Sequence, residues 1–326
     1  MNYIQQAFKG RNEWYLYLIS IFLVLFGWQI IGRIPLLISA AIFSDDMGDF
    51  AKAAENNFLG IGIDSNLYLF LMILMFIFGL LALIVCIKYI HKRKFTTLVT
   101  SRKKIDWKRF WFAFVIWAVV AIVVTAVGIL ISPENYTWNF KPVPFFTLVL
   151  VSFLFLPFQT SFEELLFRGY LLQGFGILFK NRWVPLIITS VVFGLLHGAN
   201  PEVEKLGYIS MVFYIGTGLF FGMLTLLDEG TELALGFHAA NNIIAAVFVT
   251  ANWTVFQTEA LYVDHSEPSV GIEMFLPVFV IYPAIIFFLS KKYGWTNMKD
   301  KLFGNITVPV AQENIVDIKG VEENAS

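Results

Sequence analysis

The chain has 326 residues, of which 58% are hydrophobic, 17% aromatic and 14% charged, with a mean hydropathy of +0.71. A soluble domain carries roughly 25% charged residues, so the composition excludes a soluble globular protein and predicts a polytopic membrane protein. A net charge of −1 gives no basic field to hold nucleic acid, and one cysteine, Cys86, excludes an intramolecular disulfide or a Cys-based metal site.

A spanning helix needs about 20 mostly apolar residues at a rise of about 1.5 Å each. Stretches near 14–32, 67–87, 110–132, 145–165, 184–199, 207–227, 233–250 and 272–290 qualify. They predict an all-α polytopic membrane helix bundle of about eight transmembrane helices. The apolar run after Arg11 is too long for a signal-peptide core and lacks a small-residue cleavage site, so it reads as the first retained span. Between the first two spans, about 33–66 is an acidic loop with Asp45, Asp46, Asp49, Glu55 and Asp64, and a short interfacial helix is expected at Lys52 to Asn57.

The loop after the second span holds nine basic residues, from Lys88 to Arg109. Short loops rich in Lys and Arg stay in the cytoplasm. Placing this loop there also puts Lys9, Arg11, Lys180, Arg182 and the C-terminal lysines inside, eighteen of the 23 cations. Only Arg33, Lys52, Lys141 and Lys205 fall outside, and Arg168 remains within a span. Both termini are therefore expected in the cytoplasm. The chain divides into an N-terminal transmembrane region of three spans (1–143), a polar-bearing core (144–250), a last span (251–292) and a tail (293–326) expected to be mobile.

Ionisable groups inside a span cost about 2.5–3.5 kcal/mol each on insertion scales. The core nevertheless contains Glu163, Glu164 and Arg168, then His197 at the end of an apolar helix, then His238 and Asn242 four residues apart. Adjacent helical residues diverge by about 100°, whereas residues four apart share a face. Glu164 can therefore pair with Arg168, while Glu163 points elsewhere. A desolvated carboxylate without a counter-charge holds its proton more tightly, which suits a general base near neutral pH. Taken singly, each histidine reads more readily as an interhelical hydrogen-bonding group than as a catalyst. Together, three helices supply polar groups to what reads as one buried site.

The ordered set Glu-Glu-x-x-x-Arg, Phe-x-x-x-His and His-x-x-x-Asn stands here as Glu163/Glu164/Arg168, Phe193/His197 and His238/Asn242. It resembles the CPBP family of intramembrane glutamic proteases, which includes CAAX prenyl endopeptidases and bacterial (Abi-like) relatives linked to bacteriocin processing and self-immunity. The resemblance covers about 145–250. It implies peptide-bond hydrolysis inside the membrane, with Glu163 and His197 activating water, and His238 and Asn242 stabilising the oxyanion. Glu164, Arg168 and Phe193 would support them. It implies no cofactor and no metal, a membrane-associated peptide or protein as substrate, and contact with the lipid bilayer but not with nucleic acid. A bacterial plasma membrane is the expected location.

Alternatives are a zinc-dependent membrane protease using two histidines and a glutamate, though no H-E-x-x-H pair is present. A non-catalytic regulator or scaffold of the same family, or a transporter, are the non-enzymatic readings. One conflict arises from the spans themselves. If the fourth span ends near residue 165, Glu163 lies at the cytoplasmic face while His197 lies in the outer half. The fourth span is therefore expected to start later, or to break near Gly169 with Tyr170 to Phe179 along the interface.

Overall fold

The structure, a computed structural model, describes residues 1–309. Asn314, Lys319, Glu322 and Glu323 of the expected tail lie outside the described residues. Eight apolar helices dominate: α1 (Trp14–Phe43), α2 (Ser65–Ile90), α3 (Trp107–Ile131), α4 (Pro142–Phe179), α5 (Trp183–Leu196), α6 (Tyr208–Asp228), α7 (Glu232–Phe248) and α8 (Met274–Tyr293). Six are long and apolar enough to cross a membrane, whereas α5 and α7 are shorter. The protein is thus a helical polytopic integral membrane protein, and among the described residues six of the eight helices have full spanning length.

Local chemistry sets where helices begin. The Asp64 carboxylate accepts from the backbone N–H groups of Asn66 and Leu67 at 3.0 and 3.1 Å, capping α2, and Asp106 caps α3 by accepting from Lys108 N–H at 3.1 Å. Proline opens α4 at Pro142, where its missing N–H needs no partner. In the acidic loop the short helix runs over Met47–Glu55, capped by Asp46, rather than over Lys52 to Asn57.

α4 carries the largest departure from expectation. It does not break at Gly169; it passes through a π-helical turn, Leu165–Leu171, and continues to Phe179. Its 38 residues extend about 57 Å, nearly twice the hydrocarbon thickness. α2 starts level with the beginning of α4, where the Asn66 amide donates to Pro144 O at 3.0 Å. The last turns of α4 project beyond the end of α2 and pack on the N-terminal helix Ile4–Lys9.

α7 is the central helix. It packs against α3 on one side and α4 on the other, and nearly all of its residues are buried. α3 lies outside it, with Trp111, Val115, Val119 and Val123 each more than half exposed along one i, i+4 stripe. This inverted pattern, apolar outside and polar inside, is what a hydrocarbon solvent selects. Gly236 of α7 lets the Phe110 carbonyl of α3 approach closely, and a Cβ at that position would overlap it. Gly236→Ala is expected to destabilise the protein by about 1–3 kcal/mol through overpacking, read as a lowered thermal midpoint in detergent.

The loops gather at two ends. One end joins the N-terminal segment, the basic loop, the α4–α5 turn and the α6–α7 turn. There Arg102 pairs with Asp228 at 2.8 Å and Glu232 at 3.1 Å, Arg109 reaches Asp228, and Arg182 pairs with Glu229 at 3.1 Å. The beginning of the expected mobile tail is also built into this end. Met298–Phe303 is helical, Lys301 Nζ donates to Leu227 O at 2.7 Å, and Ile306 is buried with Tyr3, Ile4 and Leu172. The opposite end carries a small sheet of β1 (Tyr136–Trp138), β2 (Val249–Thr250) and β3 (Tyr262–Asp264) in the order β1-β3-β2. β3 is antiparallel to β1, with Tyr136 opposite Asp264, and parallel to β2.

Candidate active site

Glu163 and Glu164 lie where α4 turns from α-helical to π-helical hydrogen bonding, a local irregularity frequent at functional sites. The two side chains diverge as helix geometry requires. Glu164 Oε1 accepts from Arg168 Nη1 at 3.0 Å, and both side chains are fully buried. Arg168 Nη2 donates to the Gly218 carbonyl of α6 at 3.1 Å, and its guanidinium lies 4.1 Å from the centre of the Phe193 ring. The pair therefore ties α4 to both α6 and α5.

His238 couples the two carboxylates, a link that sequence spacing alone does not reveal. Its Nδ1–H donates to Glu164 Oε1 at 2.8 Å, which fixes the ring so that Nε2 faces Glu163 Oε2 at 3.4 Å. Such a carboxylate behind an imidazole selects tautomer and orientation. Glu163 Oε2 is buried and has no hydrogen-bond partner among the described residues. It is thus an acceptor with unused capacity beside an imidazole nitrogen.

His197 follows the last residue of α5. Its Nδ1–H donates to the Phe193 carbonyl at 2.8 Å, so Nε2 keeps a lone pair, and its ring stacks on Tyr214 at 4.6 Å. Phe193 is the shared wall. Its ring centre is 4.7 Å from that of His197 and 6.2 Å from that of His238, which bounds the separation of the two imidazole centres at 10.9 Å. The conflict over depth is resolved by the length of α4. Glu163 stands 16 residues before Phe179 and His197 stands 14 residues after Trp183, or about 24 and 21 Å above a common turn. Both reach the same level from the same end.

Asn242, one turn beyond His238 on α7, donates from Nδ2 to Gln159 Oε1 at 2.9 Å. Asn241 donates to Asn242 Oδ1 at 3.1 Å and accepts from Trp117 Nε1 at 3.1 Å. Gln159, Asn241, Trp117 and Tyr214 are additions to the residues expected from sequence. Gln159 has a legible signal, since it lies four residues before Glu163 and shares its helical face. Asn241 is the chain neighbour of Asn242, whereas Trp117 and Tyr214 come from helices that only packing brings near.

Among the described residues, no group of three or more His, Cys, Asp or Glu side chains is arranged to hold a metal ion. His238 Nδ1 is committed to Glu164, which leaves Nε2 as its one free ring nitrogen. A surface cavity of about 250 Å³, lined by Arg33, Phe50, Phe58 and Met75 among others, sits beside the acidic loop and away from the glutamates.

Residues 142–244 match the family model described as Rce1-like, type II CAAX prenyl endopeptidase. The matched segment contains every residue of the cluster except Trp117. A Bacillus subtilis (strain 168) protein, YyaK, described as uncharacterized, is 31% identical over 261 residues, covering 78% of this chain and 85% of that protein. No solved structure matches the chain.

Proposed function

Because the chain belongs to the Rce1-like family of type II CAAX prenyl endopeptidases, we propose that it is an intramembrane peptidase cutting a membrane-associated peptide or protein. The proposed mechanism is metal-independent and uses glutamate. The carrying observation is the unpartnered, buried Glu163 Oε2, held beside His238 Nε2 and level with His197.

In this reading a water donates a proton to Glu163 while its oxygen attacks the scissile carbonyl carbon. His197 Nε2, left as an acceptor by the bond from Nδ1–H to Phe193, receives the second water proton as a hydrogen bond and orients the nucleophile. The developing oxyanion accepts from His238 Nε2–H and from Asn242 Nδ2–H. Glu163 then passes its proton to the leaving nitrogen as the C–N bond breaks. With both ring protons on His238, the group of Glu163, Glu164, Arg168 and His238 is electrically neutral, which limits the cost of holding it away from water. The excess of positive charge at the end that holds the N-terminus supports a cytoplasmic position for that end, and a bacterial plasma membrane is the location this proposal takes.

Asn242→Ala removes one oxyanion donor and is expected to reduce the cleavage rate about 10²–10³-fold, measured on a cleaved peptide with thermal stability as the control. The reading as a whole is tested by mass spectrometry of membranes carrying wild type or Glu163→Ala at matched, folded levels. Peptides cut only by wild type are expected. Identical peptide profiles, alongside a cellular effect of deleting the protein, would favour a non-catalytic regulator or scaffold instead.

A further inference from the structure

Arg93, in the segment between α2 and α3, takes no part in the candidate active site, yet it is as deeply placed as the groups that do. It is 5% exposed. Its Nη1 donates to Gln173 Oε1 at 2.7 Å, and Gln173 Nε2 is in turn used up on the carbonyls of Tyr3 and Thr97. Arg93 Nε and Nη2 are buried and have no partner among the described residues. Arg102, Arg109, Arg168 and Arg182 each meet a carboxylate; Arg93 meets none among the described residues.

The surroundings supply donors rather than counter-charge. Tyr17 is the ionisable side chain that acts most strongly on Arg93; its ring is 4.7 Å from His91 and 5.0 Å from Tyr170, and its hydroxyl is also buried without a partner among the described residues. His91 Nδ1–H donates to Arg11 O at 2.7 Å, so Nε2 accepts from the Tyr170 hydroxyl at 2.7 Å. Both groups are neutral and satisfied. Glu13, an acidic side chain at this end, is exposed and already paired with Arg11 at 3.2 Å. The ionisable groups acting on Arg93 are the tyrosines Tyr17, Tyr170 and Tyr3, and burial pulls the guanidinium below its usual range. A buried guanidinium without an anion is unfavourable unless one is supplied from outside the chain.

We propose that Arg93 Nε and Nη2 and the Tyr17 hydroxyl bind a small inorganic anion of chloride size, which joins α1, the basic loop and the last turns of α4. The enclosure of these nitrogens favours a small anion over a lipid phosphate, whose headgroup would need an open approach. This inference is independent of the protease reading, because none of its residues belongs to the catalytic cluster.

The test uses the purified full-length chain in an uncharged detergent, with chloride exchanged for gluconate at constant ionic strength. A saturating rise of several degrees in thermal midpoint with chloride is expected, flattened in Arg93→Met and weakened in Tyr17→Phe. Bromide-soaked crystals should show an anomalous peak beside Arg93 Nε. If Arg93→Met does not accumulate, Tyr17→Phe and the bromide peak carry the comparison. A flat wild-type curve, or an unchanged dependence in either variant, overturns the proposal. So does stabilisation by phosphate or anionic lipid but not chloride. Chloride dependence that emerges only after removal of residues 310–326 would assign the site to a carboxylate of the chain itself and overturn it equally.

Discussion

Glu163→Gln is expected to lower peptide cleavage about 10²–10⁴-fold, the range that a positioned general base contributes, while leaving the thermal midpoint close to that of wild type. Glutamine keeps the volume and the hydrogen-bonding reach of the side chain but cannot take a proton from water. The carboxylate makes no hydrogen bond through Oε2 among the described residues and lies 3.4 Å from His238 Nε2, so few structural contacts are lost. Single-turnover cleavage of one identified peptide, measured beside a melting curve, checks both halves. Cleavage within a few-fold of wild type would remove Glu163 from the chemistry. A collapse of the melting curve would instead make it a structural residue.

Arg168→Met is expected to do the opposite, unfolding the protein rather than silencing it. Methionine matches much of the stem of arginine but leaves Glu164 fully buried with only His238 as a partner, and leaves the Gly218 carbonyl without its donor. Breaking one half of a buried pair costs about 3–5 kcal/mol because the other charge stays desolvated. A large drop in thermal midpoint and in folded yield should follow. Pairing it with Glu164→Gln should recover part of the loss, so that the double variant is less destabilised than the sum of the two. A midpoint for Arg168→Met equal to that of wild type would show that the ion pair is not a stabilising element.

These two outcomes separate adjacent glutamates into chemistry and scaffold, and that division is legible in the amino-acid spacing. Helical periodicity alone directs Glu164 toward Arg168 and Glu163 away from both, because positions four apart share a face and neighbours do not. The membrane class is equally plain, since 58% hydrophobic residues cannot be hidden inside a soluble domain of this size. The basic loops group at one end of the bundle because charge distribution is a property of composition and order.

What spacing cannot supply is depth and cross-helix pairing. Hydropathy marks where an apolar run thins out, so it ends the fourth span near residue 165. The helix instead continues to Phe179, with Arg168 bonded to the Gly218 carbonyl of α6 and Gln173 to the Tyr3 carbonyl of the N-terminal segment. That extension alone brings Glu163 and His197 to one level. Likewise, the tail just past Trp295 reads as polar and free, yet Ile306 is buried between Tyr3 and Leu172, a partnership across almost the entire chain.

Sequence by itself therefore determined the helical membrane class, the identity of the polar residues and the Glu164–Arg168 pair, because composition and helical periodicity are local properties. Tertiary structure alone decided that His238 links both glutamates, that Gln159 of α4 accepts from Asn242 of α7, and that Arg93 is buried without a counter-charge among the described residues. Each of these depends on which helices lie side by side, and that is set by close packing across the bundle rather than by any residue's neighbours in the chain.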